Sequence, residues 1–110
     1  MAAEYEVYKD KSGEYRFRLK AGNGEVIMTG EGYKTRSSCM NGIKSVQKNS
    51  ADAGRFVERE AKNGKHYFVL RAGNNQEIGK SQMYETAAAM KNGIASVQKN
   101  GSATRIDDLG

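Results

Sequence analysis

The sequence predicts an α+β fold: two tandem β-β-β-α repeats forming one antiparallel sheet of about six strands, with two helices packed on one face and an internal pseudo-twofold. Three observations predict it. The chain aligns with itself, ungapped, after a shift of 51 residues. Each copy alternates apolar and polar residues before switching to a helical period. And a unit of about 50 residues buries too little surface to be stable alone without a disulfide or metal. The copies are therefore expected to share a core in a single domain, 1–110, with repeat 1 at 1–51 and repeat 2 at 52–110.

The repeat runs from Lys11–Asn49 onto Lys62–Asn100. Identities include Gly13/Gly64, Phe17/Phe68, Leu19/Leu70, Ala21/Ala72, Asn23/Asn74, Ile27/Ile78, Tyr33/Tyr84 and Thr35/Thr86. Asn41-Gly42-Ile43 recurs as Asn92-Gly93-Ile94, and Ser45-Val46-Gln47-Lys48-Asn49 as Ser96-Val97-Gln98-Lys99-Asn100.

In each copy a first strand is expected near Tyr5–Lys9 or Arg55–Glu60. A turn at Ser12-Gly13 or Asn63-Gly64 leads to a second strand, Glu14–Lys20 or Lys65–Arg71. Strand periodicity sends Tyr15, Phe17 and Leu19 inward and Arg16, Arg18 and Lys20 outward. In copy two His66, Phe68 and Leu70 face in, and Tyr67, Val69 and Arg71 face out. Gly22-Asn23-Gly24, matched by Gly73-Asn74-Asn75, supplies the positive φ of a hairpin turn. A short third strand then carries Ile27 or Ile78 into the core and leaves Val26 and Met28 on the outer face.

The helices begin after Thr35 and Thr86, whose hydroxyls suit the N-cap. Cys39, Ile43 and Val46, like Met90, Ile94 and Val97, recur at i, i+4, i+7 and form one apolar stripe. Asn49 and Asn100 fit the left-handed residue that ends many helices. Gly42 and Gly93 break the local pattern, because glycine inside a helix costs about 1 kcal/mol relative to alanine. Close approach of the backbone to a packing neighbour explains them. The expected core is Phe17, Leu19, Ile27, Ile43, Val46, Phe68, Leu70, Ile78, Ile94 and Val97. Thr104-Arg105-Ile106 has the composition of a strand, while Asp107-Asp108 reads as solvated; the sequence leaves the pairing of 103–108 open.

The module Phe-x-Leu-x-Ala-x-Asn-Gly (Phe17, Leu19, Ala21, Asn23, Gly24), followed by Tyr33, Asn41, Gly42, Ile43, Ser45 and Val46, resembles that of the YegP-like family of small bacterial proteins. The resemblance covers nearly the whole chain. It implies two three-strand-plus-helix repeats about a pseudo-twofold axis, and no catalytic residues, because the family is of uncharacterised function. Asn75 stands where the motif has the hairpin glycine.

Chemistry is sparse. There is one cysteine, Cys39, and one histidine, His66, short of a structural zinc set and without disulfide pairing inside the chain. A Cys39–His66 couple is conceivable across the core, but a buried thiol and an inward histidine are the plainer reading, since copy two has Met90 and copy one Tyr15 at those positions. Phosphate-loop and dinucleotide patterns are missing, as Gly22-x-Gly24 lies in a hairpin. No cofactor or metal is expected and nothing argues for an enzyme. Met1–Glu6 has neither a basic nor an apolar run, apolar stretches reach three or four residues, and a lone cysteine fits a reducing compartment, so the protein is expected in the cytoplasm and away from membranes.

Eighteen Lys and Arg against 13 Asp and Glu give a net charge of +5. That permits, without requiring, an anionic partner. The candidate surface is the outer face of the sheet, carrying Arg16, Arg18, Lys20, Tyr67 and Arg71. The first reading is a protein partner or self-association through that face; the second is nucleic acid, with bases stacking on the ring and cations tracking phosphates. A third reading joins Asn41/Asn92, Ser45/Ser96 and Tyr33/Tyr84 in a small-ligand or enzymatic pocket, although capping and packing account for the same residues.

Overall fold

The structure, a computed structural model, describes residues 2–109. Among them are seven strands and two α-helices, in the order β1 (Glu4–Lys9), β2 (Tyr15–Lys20), β3 (Val26–Thr29), α1 (Arg36–Asn49), β4 (Phe56–Glu60), β5 (His66–Arg71), β6 (Glu77–Lys80), α2 (Ala87–Asn100) and β7 (Ile106–Asp108). A 3-10 turn, Ala53–Arg55, leads into β4. One sheet holds all seven strands in the order β4-β5-β6-β3-β2-β1-β7.

The turns form where glycine or asparagine accepts a left-handed backbone. Gly13, Gly24 and Gly64 have φ of +83°, +85° and +83°, and Asn75 takes +68° where copy one has glycine. The Asx side chains help: Asp10 accepts the amides of Ser12 and Glu14, and Asn23, Asn63 and Asn74 accept those of Glu25, Lys65 and Gln76.

Both helix starts agree with the capping expectation. Thr35 accepts the Ser38 amide at 3.1 Å and Thr86 that of Ala89 at 3.0 Å, each cap being extended. The helix ends differ from it. Asn49 and Asn100 remain helical, and Ser50 and Gly101 cap in the right-handed region. Each asparagine instead donates its side-chain amide back to the carbonyl four residues earlier, Ser45 or Ser96, at 2.8 Å. A bond to the preceding turn removes the need for a left-handed residue.

Helix α1 lies on β2 and reaches across to β5 and β6, while α2 lies on β5 and reaches β3. The helical stripes and the inward strand residues form one core cluster: Phe17, Leu19, Ile27, Cys39, Ile43, Val46, Phe68, Leu70, Ile78, Met90 and Val97, joined by Tyr5, Val7 and Met28. Ile94 is only partly buried.

Met28 corrects the alternation reading. Arg18 opposes Thr29 and Leu19 opposes Met28, but Lys20 opposes Val26, so Ile27 is an extra residue without a partner in β2. The bulge turns two consecutive side chains toward the core, Ile27 (6 % exposed) and Met28 (1 %). The same shift recurs between Leu70 and Arg71, leaving Ile78 unpaired with β5. Val69 does face outward, yet it is buried among its neighbours.

The sheet is also larger than expected and not wholly antiparallel. After α2 the chain returns alongside β1 in parallel, with Tyr5 opposite Ile106 and Val7 opposite Asp108. Tyr5 donates its amide to Arg105, and Val7 accepts that of Leu109, so backbone groups that an open edge would leave to solvent are paired. Asp108 is exposed, as expected, and pairs at the surface with Arg36 at 3.0 Å. At the opposite edge β4 exposes Glu58 and Glu60, charges that discourage pairing with another sheet.

Candidate functional site

The five outward residues fall into two groups. Arg16, Arg18 and Lys20 stand on β2 and Tyr67 and Arg71 on β5, with β3 and β6 between. Three strand spacings amount to roughly 14 Å. The sheet therefore does not bring them together as one cluster.

Most of their charge is answered locally. Glu6 is 7 % exposed, accepts Arg18 Nε at 2.6 Å and also pairs with Lys20 at 3.3 Å. The hydrogen bond from Arg18 is the largest influence holding the Glu6 carboxyl below its ordinary range. Arg18 also covers the Tyr8 ring, 4.6 Å from its centroid. Arg16 binds Asp10 at 2.7 Å, and the Ser12 hydroxyl, with Arg16 second, holds that carboxyl well below the usual carboxylate range. The Tyr67 ring lies under the Lys80 ammonium, 5.0 Å away. Arg71 opposes Glu77, whose carboxylate is taken by Arg59 at 2.8 Å; Arg71 Nε is buried and, among the described residues, lacks a hydrogen-bond partner. What sequence alternation reads as a basic surface is largely a lattice of cross-strand ion pairs.

The repeat-signature residues have a packing role. The Tyr33 ring stacks on Phe17 with centroids 6.4 Å apart and planes 21° apart; Tyr84 stacks on Phe68 at 6.4 Å and 15°. A Cβ on Gly42 would meet the Tyr33 hydroxyl, would lie 2.8 Å from Cζ and 3.1 Å from the Phe17 ring. Gly93 has the same relation to Tyr84 and Phe68. The helix-interior glycines make room for a tyrosine laid between helix and sheet. Tyr33, Ser38, Asn41, Gly42 and Ser45 also line a cleft of about 370 Å³, closed on its far side by Asn74 and Gln76 of the copy-two hairpin. The cleft thus joins one copy's signature to the other copy's turn. It does not join the two signatures, as the pocket reading required.

Cys39 is buried on α1, where desolvation pushes its thiol up, away from a reactive thiolate. His66 lies on β5, bridged through its backbone to Tyr84. Among the described residues no hydrogen bond couples the two. Glu4, Glu6 and Asp107 form an acidic corner, but Arg105 pairs with Glu4, and Arg18 and Lys20 with Glu6.

The surface that sequence alternation overlooked is the outer side of the helices. Segments 32–51 and 86–106 contain no Asp or Glu. They carry Lys34, Arg36, Lys44, Lys48, Lys91, Lys99 and Arg105, seven of the 18 basic residues, so the remaining eleven face all 13 carboxylates. All seven are exposed. Arg36 and Arg105 have ion pairs, whereas the five lysines meet no carboxylate among the described residues. The signal was present in the sequence as two long stretches free of acid.

The fold and these surfaces define a small α+β tandem-repeat protein, and comparison with known proteins agrees. A family model described as a domain of unknown function (DUF1508) matches twice, at residues 10–56 and 61–108. The chain belongs to this family, whose curated relatives are the UPF0339 proteins, YegP among them. It is 52 % identical to a UPF0339 protein of Shewanella oneidensis over 109 residues, 99 % of each chain, and 47 % identical to Escherichia coli YegP over 108 residues, 98 % of each. The solution NMR structure of the Shewanella protein superposes with a TM-score of 0.92, covering 99 % of this chain and 92 % of that one. The E. coli structure, described as a protein of unknown function, gives 0.93 with coverage of 99 % and 94 %. No helix of the described residues is long and apolar enough to cross a membrane.

Proposed function

We propose that this protein is a non-enzymatic binding module that meets an anionic macromolecule through its helices, in the cytoplasm. One observation carries the reading: the helical segments carry seven basic residues and no Asp or Glu, while on the outer face of the sheet Arg16, Arg18, Lys20 and Arg59 are ion-paired. Segregated charge of one sign raises the local concentration of an opposite partner, and a paired surface does not. The reading takes repeats 1–51 and 52–110 as one domain about an internal twofold, with both helices on one face. Support comes from strand order, which places β6 and β3 at the centre and runs outward through β5 and β4 on one side and β2 and β1 on the other, and from the single shared core.

The test compares two variants of equal net charge on an immobilised sulfated polyanion. Lys44→Gln with Lys91→Gln removes two helix charges; Lys11→Gln with Lys62→Gln removes two exposed hairpin charges. Earlier elution of the helix variant alone supports the reading. Equal shifts reduce the effect to net charge and overturn it. A second reading, a protein partner or self-association at the outer sheet face, is favoured by Val26 and Val57, which are only partly buried there. Sedimentation of concentrated protein at high salt checks self-association.

A further inference from the structure

We infer that the anionic partner is a nucleic-acid duplex held by its phosphate backbone without reading of sequence, an inference that rests on the proposed helix-borne binding surface. Side chains on the helices decide between partners. The exposed large hydrophobic residues among those described are Met83 and Leu109, both outside α1 and α2. An anionic membrane would call for apolar or aromatic groups to insert beside the lysines, and a stable protein interface for a desolvated apolar or aromatic centre. The helices offer neither.

They also contain no aromatic residue, so nothing on them can stack on an unpaired base, the interaction on which single-strand binders depend. What they expose is lysine set among small and amide side chains: Ser37, Ser38 and Asn41 beside Lys44 and Lys48 on α1, Ala87, Ala88, Asn92 and Ala95 around Lys91 and Lys99 on α2. Small neighbours let a helix approach a charged rod closely, and amides and hydroxyls add donors for phosphate and sugar oxygens.

Spacing fits as well. Lys44 and Lys48 are one helical turn apart, about 6 Å along the axis, and Lys91 and Lys99 about 12 Å. Each strand of a duplex presents a phosphate about every 3.4 Å of axis. The helix C-termini touch, since a Cβ on Gly101 would strike Ser50, so Lys48 and Lys99 lie in the last turns of two helices that meet. Their positions also suit the helix dipole, but that leaves Lys44 and Lys91 unexplained. DNA and RNA duplexes share the recognised chemistry.

Fluorescence anisotropy tests this with labelled DNA and RNA duplexes of about 20 base pairs, the corresponding single strand, and a sulfated polysaccharide as competitor. Binding of one or both duplexes, weaker binding of the single strand, and a log–log salt slope of roughly −3 to −4 are expected for about four neutralised phosphates. Replacing Lys44, Lys48, Lys91 and Lys99 by Gln should lower duplex affinity at least tenfold and flatten the slope, while Lys11→Gln with Lys62→Gln changes neither. Circular dichroism checks that the variants fold. Single-strand binding as tight as duplex binding, or polysaccharide binding without duplex binding, overturns the inference and leaves the anion-binding reading standing. Absence of binding to every polyanion overturns both.

Discussion

The hydroxyl of Tyr5, on the first strand, donates to the carbonyl of Gly101, at the end of the second helix, at 2.6 Å in the buried interior. Phe56 holds the equivalent place in repeat 2 and packs edge-on against Phe68 (5.6 Å, 66°), as Tyr5 does against Phe17 (6.1 Å, 64°). The ring belongs to the module; the hydroxyl ties the two repeats together.

Tyr5→Phe should therefore keep the packing and lose about 1–2 kcal/mol of stability, the cost of leaving a buried carbonyl without that donor. Urea unfolding at neutral pH measures it. Burial raises the Tyr5 phenol above its ordinary value of 10.0. A group raised on folding supports the fold fully below its unfolded pKa and ceases to as pH climbs past it. The wild type should thus lose stability above about pH 10, and Tyr5→Phe should lose less. A substitution without effect on either curve would contradict the assigned bond.

Glu6 works in the opposite pH range. Its carboxyl is depressed, chiefly by Arg18, so its contribution is present above the ordinary carboxylate range and fades as acid protonates it. Glu6→Gln should cost about 1–3 kcal/mol at pH 7. The deficit should shrink as the pH is lowered through the acidic range, which unfolding curves at several acidic pH values would record.

Gly42→Ala or Gly93→Ala should destabilise although alanine favours helix by about 1 kcal/mol. The new Cβ meets a tyrosine wedged against phenylalanine, an overpacking that costs about 1–3 kcal/mol. Adding Tyr33→Phe to Gly42→Ala should recover part of the loss, because the hydroxyl is the first atom struck; additive losses in thermal unfolding would refute the contact.

Ser50 and Gly101 occupy equivalent positions, yet only one has space for a side chain. Gly101→Ser should destabilise, and Ser50→Gly with Gly101→Ser should restore most of the loss, as read by melting temperature. Ser50→Ala should be neutral or stabilising, since the Ser50 hydroxyl is buried without a hydrogen-bond partner among the described residues.

Much of the fold was legible because it was written twice. The repeat located both hairpins, the caps Thr35 and Thr86, and the helical stripes. Met28 was misread because a bulge adds one residue and breaks the period of two on which the reading relied. Ion pairs such as Glu6 with Arg18 and Lys20 depend on strand register, which composition does not contain. Where the repeats meet, the informative signal was mismatch between copies. A Cβ on Gly79 would lie 2.8 Å from Met28 Cε, and Met28 and Gly79 are equivalent positions, like Ser50 and Gly101. Side chains approaching each other across a junction cannot both be large, so the copies had to diverge there. The helix lysines were legible individually; their significance emerged only once Arg16, Arg18, Lys20 and Arg59 of the sheet were seen to be paired.

The crossed seating of the helices sets an order on synthesis. Helix α1 leaves the ribosome long before β6, one of the strands it rests on, and β1 waits for β7 at the far end of the chain. At the usual rate of about 5–20 residues per second, the first repeat spends seconds with its apolar stripe incompletely covered. A nascent chain halted before residue 77 should remain open to protease, and protection should arrive late, when the second half supplies the missing cover.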